Sequence, residues 1–210
     1  MKNLRISSLF LFAAFFVLVG FSACDKSDNS GITPVPSNML TASDQEALQF
    51  MREEEKLARD VYTYFNDKYG LQIFGNIASS EQTHMNEILV LMEKYGVEDP
   101  ASEEMGIFTN ASLQQLYNDL IALGNNSIVD ALIVGATIED VDIRDLGDAI
   151  DETIRTDFIA VYDKLECGSR NHMRAFTNQL EMRGETYTPQ FISQEMFDAI
   201  INGEHEQCGG

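Results

Sequence analysis

Between Ser37 and Tyr187 the chain carries a single proline, Pro100. A backbone that keeps its amide donors over such a span permits long helices on both sides of that residue. Hydrophobic periodicity fills both. Ser43-x-x-Glu46 has the form of a capping box, and Leu48, Met51, Ala58, Tyr62 and Phe65 then recur at three- and four-residue steps until Lys68-Tyr69-Gly70 ends the pattern. A second stripe, Phe74, Ile77, Ile88 and Leu91, stops at the near-identical Lys94-Tyr95-Gly96. Glu98-Asp99-Pro100 reads as a turn, and Ser112-x-x-Gln115 opens a short helix with Leu113, Leu116, Leu120 and Leu123 on one side. A third long stripe follows Ser127 (Ile128, Leu132, Gly135, Leu146). A fourth runs from Thr156 to Arg183 (Phe158, Val161, Leu165, Ala175), and a last short helix is expected over Ser193 to Ile201. The fold class is all-α: two helical hairpins joined by a long crossover that contains a short helix, with a further short helix at the end.

The residues that interrupt these stripes carry the chemistry. The first seam reads Leu48, Met51, Glu55, Ala58, Tyr62, Phe65, and the second Phe74, Ile77, Glu81, His84, Ile88, Leu91. The third reads Leu132, Gly135, Glu139, Asp142, Leu146, and the fourth Phe158, Val161, Leu165, Gly168, His172, Ala175. Each helix thus turns a carboxylate or an imidazole toward the core. Glu55 and His84 are equidistant from the Tyr69-Gly70 break, and Glu139 and His172 from the polar segment between Asp151 and Thr156, so in antiparallel hairpins the groups share one level. Grouped carboxylates in a core are untenable without compensation, because each desolvated charge costs several kcal/mol and their repulsion adds to it. Divalent cations resolve this, with Glu55, Glu81, Glu139 and Asp142 as oxygen donors and His84 and His172 as nitrogen donors. One or two ions of iron, or of manganese or zinc, suit such a mixed donor set better than magnesium or calcium. Glu53 and Glu54 read as flanking members of a charge run, Glu54 being the fallback ligand. His205 is placed in a flexible tail.

The amino terminus sets the compartment. Lys2 and Arg5 precede an apolar run from Leu9 to Val19, too short for the roughly 20 residues of a membrane span, and Phe21-Ser22-Ala23-Cys24 follows. This resembles a bacterial lipoprotein signal, in which the leader is removed before the cysteine and the cysteine carries the lipid. Residues 1–23 are then the signal peptide, 24–42 a Pro- and Ser-containing tether, 43–202 the folded domain and 203–210 the tail. The protein is expected in the cell envelope, anchored to a membrane through Cys24. A formal net charge of −20 excludes nucleic acid as a partner. With Cys24 lipidated, Cys167 and Cys208 remain as an even pair, for which a disulfide is open.

At these residues the chain is similar to the ferritin-like superfamily. Glu55-x-x-Ala58-Arg59-x-x-Tyr62 resembles the first ligand helix of rubrerythrins, and Glu81-x-x-His84 their Glu-x-x-His motif. The wider pattern resembles an uncharacterised branch, domain of unknown function 2202. It runs from Arg52-Glu53-Glu54-Glu55-Lys56-Leu57-Ala58-Arg59-Asp60 through Ser80-Glu81-Gln82-Thr83-His84-Met85 to Ser169-Arg170-Asn171-His172. The resemblance implies a ferritin-like four-helix bundle, metal ligation by Glu55, Glu81, His84, Glu139 and His172, and ferroxidase or oxygen- and peroxide-reducing chemistry. It leaves a homodimer open. The fourth helix departs from the di-iron pattern, since Gly168 and Ser169 stand where a carboxylate before the histidine is expected. The second ion is therefore expected to bind less tightly than the first. No cysteine-rich electron-transfer segment is present. The competing class is a metal-free helical lipoprotein acting as an interaction module.

Cys24→Ser is expected to release the protein from the membrane fraction with its helical content intact. Membrane fractionation with circular dichroism checks this, and a variant that stays in the membrane after leader removal refutes attachment at Cys24.

Overall fold

A computed structural model of the chain describes residues 40–209, in which six α-helices and no strand are found. They are α1 (Ala42–Tyr69), α2 (Gln72–Tyr95), α3 (Ala111–Gly124), α4 (Ile128–Glu152), α5 (Thr156–Glu181) and α6 (Gln194–Asn202). The leader, Cys24 and most of the tether lie outside the described residues. No described helix is long and apolar enough to cross a membrane.

Helices α1 and α2 form one antiparallel hairpin and α4 and α5 the other; α3 lies in the crossover against α1 and α4, and α6 packs on α5. Both helices of the first hairpin end in a glycine with left-handed backbone, Gly70 at φ 63° and Gly96 at φ 69°. That conformation closes a helix at no Cβ penalty. The start of α1 differs from the sequence expectation. Thr41 rather than Ser43 is the cap: Thr41 Oγ1 accepts from Asp44 N at 3.0 Å, and Asp44 Oδ2 accepts from Thr41 N at 2.9 Å. The same capping-box chemistry thus sits two residues earlier. Helix α3 likewise starts behind Asn110, whose Oδ1 accepts from Ser112 N and Leu113 N, and not at Ser112. Ser127 and Ser193 cap α4 and α6 at the expected places.

The apolar core is in two parts. One is built around Tyr62, Phe65, Phe74, Leu132 and Phe176, the other around Leu48, Met51, Ile88, Phe158 and Leu165. Along α1, α2 and α5 the acidic and imidazole positions fall between the two, so the polar groups form a belt across the middle of the bundle. Gly135 serves close packing: a Cβ there would lie 2.4 Å from the Phe176 ring, so α4 and α5 approach at this level only because the residue has none.

Buried charges outside the belt fix the segments that run over the bundle. Glu53, expected as a flanking member of the charge run, is buried, and its carboxylate accepts from the backbone N–H groups of Thr109 and Asn110 at 2.6 and 2.9 Å. Lys56, fully buried, donates to Asp60 Oδ2 at 2.6 Å and to the crossover carbonyls of Glu104 and Ile107. Asp140, also fully buried, accepts from Tyr187 Oη and from the backbone N–H groups of Gln190, Phe191 and Ile192, tying the segment after α5 to α4. The tail is pinned rather than flexible. Glu206 accepts from Arg170 and Arg174, and Cys208 is disulfide-bonded to Cys167 of α5.

Asp140→Ala strands three backbone donors and a tyrosine hydroxyl at once, at a cost of about 3 kcal/mol. The melting temperature is expected to fall by about 10 °C, while Asp198→Ala on exposed α6, measured in the same thermal scan, is expected to change it little.

Candidate metal centre

Glu81 is the middle of the polar belt. Its carboxylate is fully buried and lies between two imidazoles, with Oε2 at 2.7 Å from His84 Nδ1 and Oε1 at 2.9 Å from His172 Nδ1. The Glu81 and His84 pair comes from one turn of α2, because residues three apart share a helix face. From α1, Glu55 Oε2 lies 3.2 Å from His84 Nδ1. From α4, Glu139 Oε2 lies 3.4 Å from His172 Nδ1. The helices therefore bring together two groups with mutual ligand-atom spacing suited to a metal ion, Glu55 with Glu81 and His84, and Glu81 with Glu139 and His172. Glu81 belongs to both.

Several of these atoms have no hydrogen-bond partner. Both Glu81 oxygens, Glu139 Oε2 and His172 Nδ1 are buried and make no hydrogen bond. Orphaned polar atoms at such density run against the rule that buried polar groups are paired, and they converge on the two positions that cations would occupy. The outward atoms, in contrast, are held: Ser80 Oγ lies 3.0 Å from His172 Nε2, and Tyr62 Oη donates to Glu139 Oε1 at 2.6 Å. Such contacts orient ligands from behind. Ser169, at the expected carboxylate position, instead donates to its own helix at Leu165 O. Gly168 makes room for His84, whose Nε2 would lie 2.6 Å from a Cβ there.

Asp142, expected as a ligand, belongs to neither group. It is buried with both oxygens unsatisfied, as is Glu54 Oε1, and its electrostatic neighbours are Glu54, Glu55, Glu139 and Glu81. On the opposite side, a cavity of about 340 Å³ borders both imidazoles, with His84, His172, Ser80 and Lys164 in its wall and the tail residues His205 to Cys208 along its rim. Neither the tail's part in this wall nor the burial of Glu53 was readable from helical periodicity, since both are decided by long-range contacts.

The family model described as an uncharacterized protein domain (DUF2202) matches residues 44–204. The chain belongs to the DUF2202 family. The uncharacterized protein MJ0754 of Methanocaldococcus jannaschii is 49% identical over 177 residues, which covers 84% of this chain and 96% of that protein. A crystal structure of MJ0754, titled as a hypothetical protein, superposes with a TM-score of 0.79 at 49% identity and covers 82% of this chain and 99% of the other.

The electrostatics of this DUF2202 centre describe a site that holds protons in place of cations. Burial raises the Glu55 carboxyl to about 7, against the pull of His84. Burial also raises Glu139 and, further, Asp142 and Glu54, whose acidic neighbours add to the effect. For His172, burial works against the imidazolium, but the attraction of Glu81 and then Glu139 outweighs it and lifts the group to about 10. His84 is raised in the same way by Glu81 and Glu55. Glu81 moves in the opposite direction, the two imidazoles overcoming the effect of its burial. Metal binding must displace these protons, because an ion takes neutral imidazoles and ionised carboxylates.

Binding of manganese or ferrous iron at pH 7 is therefore expected to release protons and to weaken as pH falls, because His172 is already protonated there, and more steeply below about 7, where Glu55 is protonated as well. Calorimetry in buffers of different ionisation enthalpy checks the release. Glu55→Gln is expected to remove the additional pH dependence that sets in below about 7 while leaving the part due to His172; an unchanged pH profile in that variant would show that Glu55 is not a ligand.

Proposed function

We propose that this DUF2202 protein is a ferritin-like metal-binding protein that holds two divalent ions, iron foremost, in the middle of its bundle and handles oxygen or peroxide there. The reading extends to an envelope location through a lipid on Cys24. The observation that carries it is the Glu81 carboxylate, fully buried, unsatisfied at both oxygens and shared between two carboxylate and imidazole groups. Without ions the belt is a costly set of unpaired buried acids; with two divalent ions the charges of Glu55, Glu81, Glu139 and Asp142 are balanced.

In this reading Glu55, Glu81 and His84 would hold one ion, and Glu81, Glu139 and His172 would hold the other. When bound, iron would supply electrons to an oxidant. The chain's residues do the rest. Ser80 fixes the ring of His172, and Tyr62 fixes Glu139 by donating a hydrogen bond to its Oε1. The cavity beside the imidazoles admits a molecule of peroxide size, and the surrounding apolar clusters keep bulk water from the carboxylates.

Metal content of the purified chain after anaerobic iron loading and gel filtration tests the reading, with up to two ions per chain expected. Glu81→Gln is expected to abolish retention of both, while Glu55→Gln and Glu139→Gln each lose one, and Glu53→Gln keeps the full complement provided the melting scan shows a folded chain. A native protein that retains no iron, manganese or zinc would leave the metal-free interaction module.

A further inference from the structure

The centre as read above needs a source of electrons, and the one sulfur pair among the described residues lies beside it. Cys167 immediately precedes Gly168, the residue whose bare Cα faces His84 Nε2, so no side chain stands between α5 and that imidazole at this level. Cys208, disulfide-bonded to Cys167, is part of the rim of the cavity walled by His84 and His172. Cys208 and the two imidazoles thus line one space, large enough for peroxide with several waters at about 30 Å³ each, and Cys167 is joined to that lining through the S–S bond.

The tail does not need the S–S bond to stay in place. Glu206 accepts from Arg170 Nη2 at 2.7 Å and from Arg174 Nη2 at 2.6 Å, its backbone N–H donates to Asn171 Oδ1 at 2.9 Å, and its carbonyl accepts from Asn171 Nδ2 at 3.0 Å. Asn171 Nδ2 also lies 3.2 Å from Cys208 Sγ, where it can stabilise charge on the sulfur. These contacts keep both sulfurs adjacent in the dithiol form, so closing and opening the bond requires no refolding of the segment. A purely mechanical staple would need neither the donor on the sulfur nor a place at the cavity.

We propose that Cys167 and Cys208 are a redox-active pair that gives the centre the two electrons with which it reduces hydroperoxide. The inference rests on the metal reading above. In the net step the peroxide O–O bond breaks and the Cys167–Cys208 S–S bond forms. Two thiols are oxidised to the disulfide, both peroxide oxygens are reduced to water, and the two thiol protons go to those oxygens. The electrons leave the sulfurs at the rim and reach the oxidant at the imidazole wall. An external dithiol then reduces the bond by exchange, attacking Cys208, the less buried of the two sulfurs, and leaves as a disulfide itself.

The test uses the purified chain, reduced and freed of reductant, in iron-loaded, zinc-loaded and metal-free portions, each passed through gel filtration to remove unbound metal. One equivalent of hydrogen peroxide is added without oxygen, and peroxide, free thiols and metal are counted, with circular dichroism to follow the fold. The iron-loaded protein is expected to lose two thiols per peroxide, about tenfold or more faster than the other two portions, and peptide mass mapping is expected to find the Cys167–Cys208 bond. Cys208→Ser is expected to keep its iron, to form no such bond, and to consume no more peroxide than the electrons of its own ferrous iron account for. Iron retained and peroxide consumed with the thiols intact overturns the inference and leaves the metal reading standing. Failure to retain iron overturns the metal reading instead. Equal thiol loss with zinc means that peroxide attacks the sulfurs directly, and unfolding of the reduced chain means that the dithiol is no working state; either result sinks the inference.

Discussion

The repulsion among carboxylates in the middle of the bundle is the constraint on which the rest of the structure depends. Glu54, Glu55, Glu81, Glu139 and Asp142 are all buried within one layer, supplied by three different helices. Two imidazoles alone cannot balance them. Burial and mutual repulsion raise the carboxyls of Glu55, Glu139, Asp142 and Glu54, which favours their neutral forms when no cation is bound. Such a layer gains nothing by hydrophobic burial and costs several kcal/mol per unpaired charge. The two apolar clusters on either side must hold the four helices together against it. Their aromatic content is concentrated accordingly: Tyr62, Phe65, Phe74 and Phe176 lie within 5.2 to 6.4 Å of one another in successive ring contacts.

Holding ligands from several helices in register also requires that the helices not slide. Buried charges outside the layer do this. Glu53, Lys56 and Asp60 lock α1 to the crossover through backbone groups of Thr109, Asn110, Glu104, Ile107 and Gly106. Arg52 adds the Met85 carbonyl of α2 and the Asp99 carboxylate. On the other hairpin, Asp140 performs the same function for the loop that leads to α6. Breaking one partner of a buried charged hydrogen bond costs more than the bond contributes, so these contacts act as positional stops more than as sources of stability.

Much of this was legible in the sequence, and the reasons are specific. The helices followed from periodicity and from glycine stops such as Gly70 and Gly96, and the level of the acids and histidines followed from antiparallel geometry, which sets Glu55 opposite His84 and Glu139 opposite His172. Position along a helix fixes which face a residue takes. It does not fix how far the side chain reaches: Asp142, one methylene shorter than glutamate, is buried beside Glu139 and Glu55 yet belongs to neither of the two groups with ligand spacing. The caps moved by two residues because Thr41 and Asn110 offer the same oxygen acceptor as the serines that follow them. Glu53 and the tail were misread for a different reason: their partners are backbone amides and arginines far away in sequence, and no local pattern encodes those.

The fourth helix shows how departure from a symmetric carboxylate pattern is used. With glycine and serine at positions 168 and 169, α5 presents only His172 to the belt. The absent side chain lets His84 sit against the α5 backbone, brings its ring to 5.7 Å from that of His172, and opens the cavity beyond. A glutamate at position 169 would have to break the hydroxyl contact to Leu165 O and enter a fully buried place. The small residues thus leave both imidazoles bordering that cavity, with no second carboxylate from α5 beside them. That the opened side is also where the tail and its cysteine are pinned gives the asymmetry its chemical sense. The closed side carries Asp142 and Glu54, which can hold only protons or cations, while the open side carries imidazole edges and sulfur, which can also meet an oxidant.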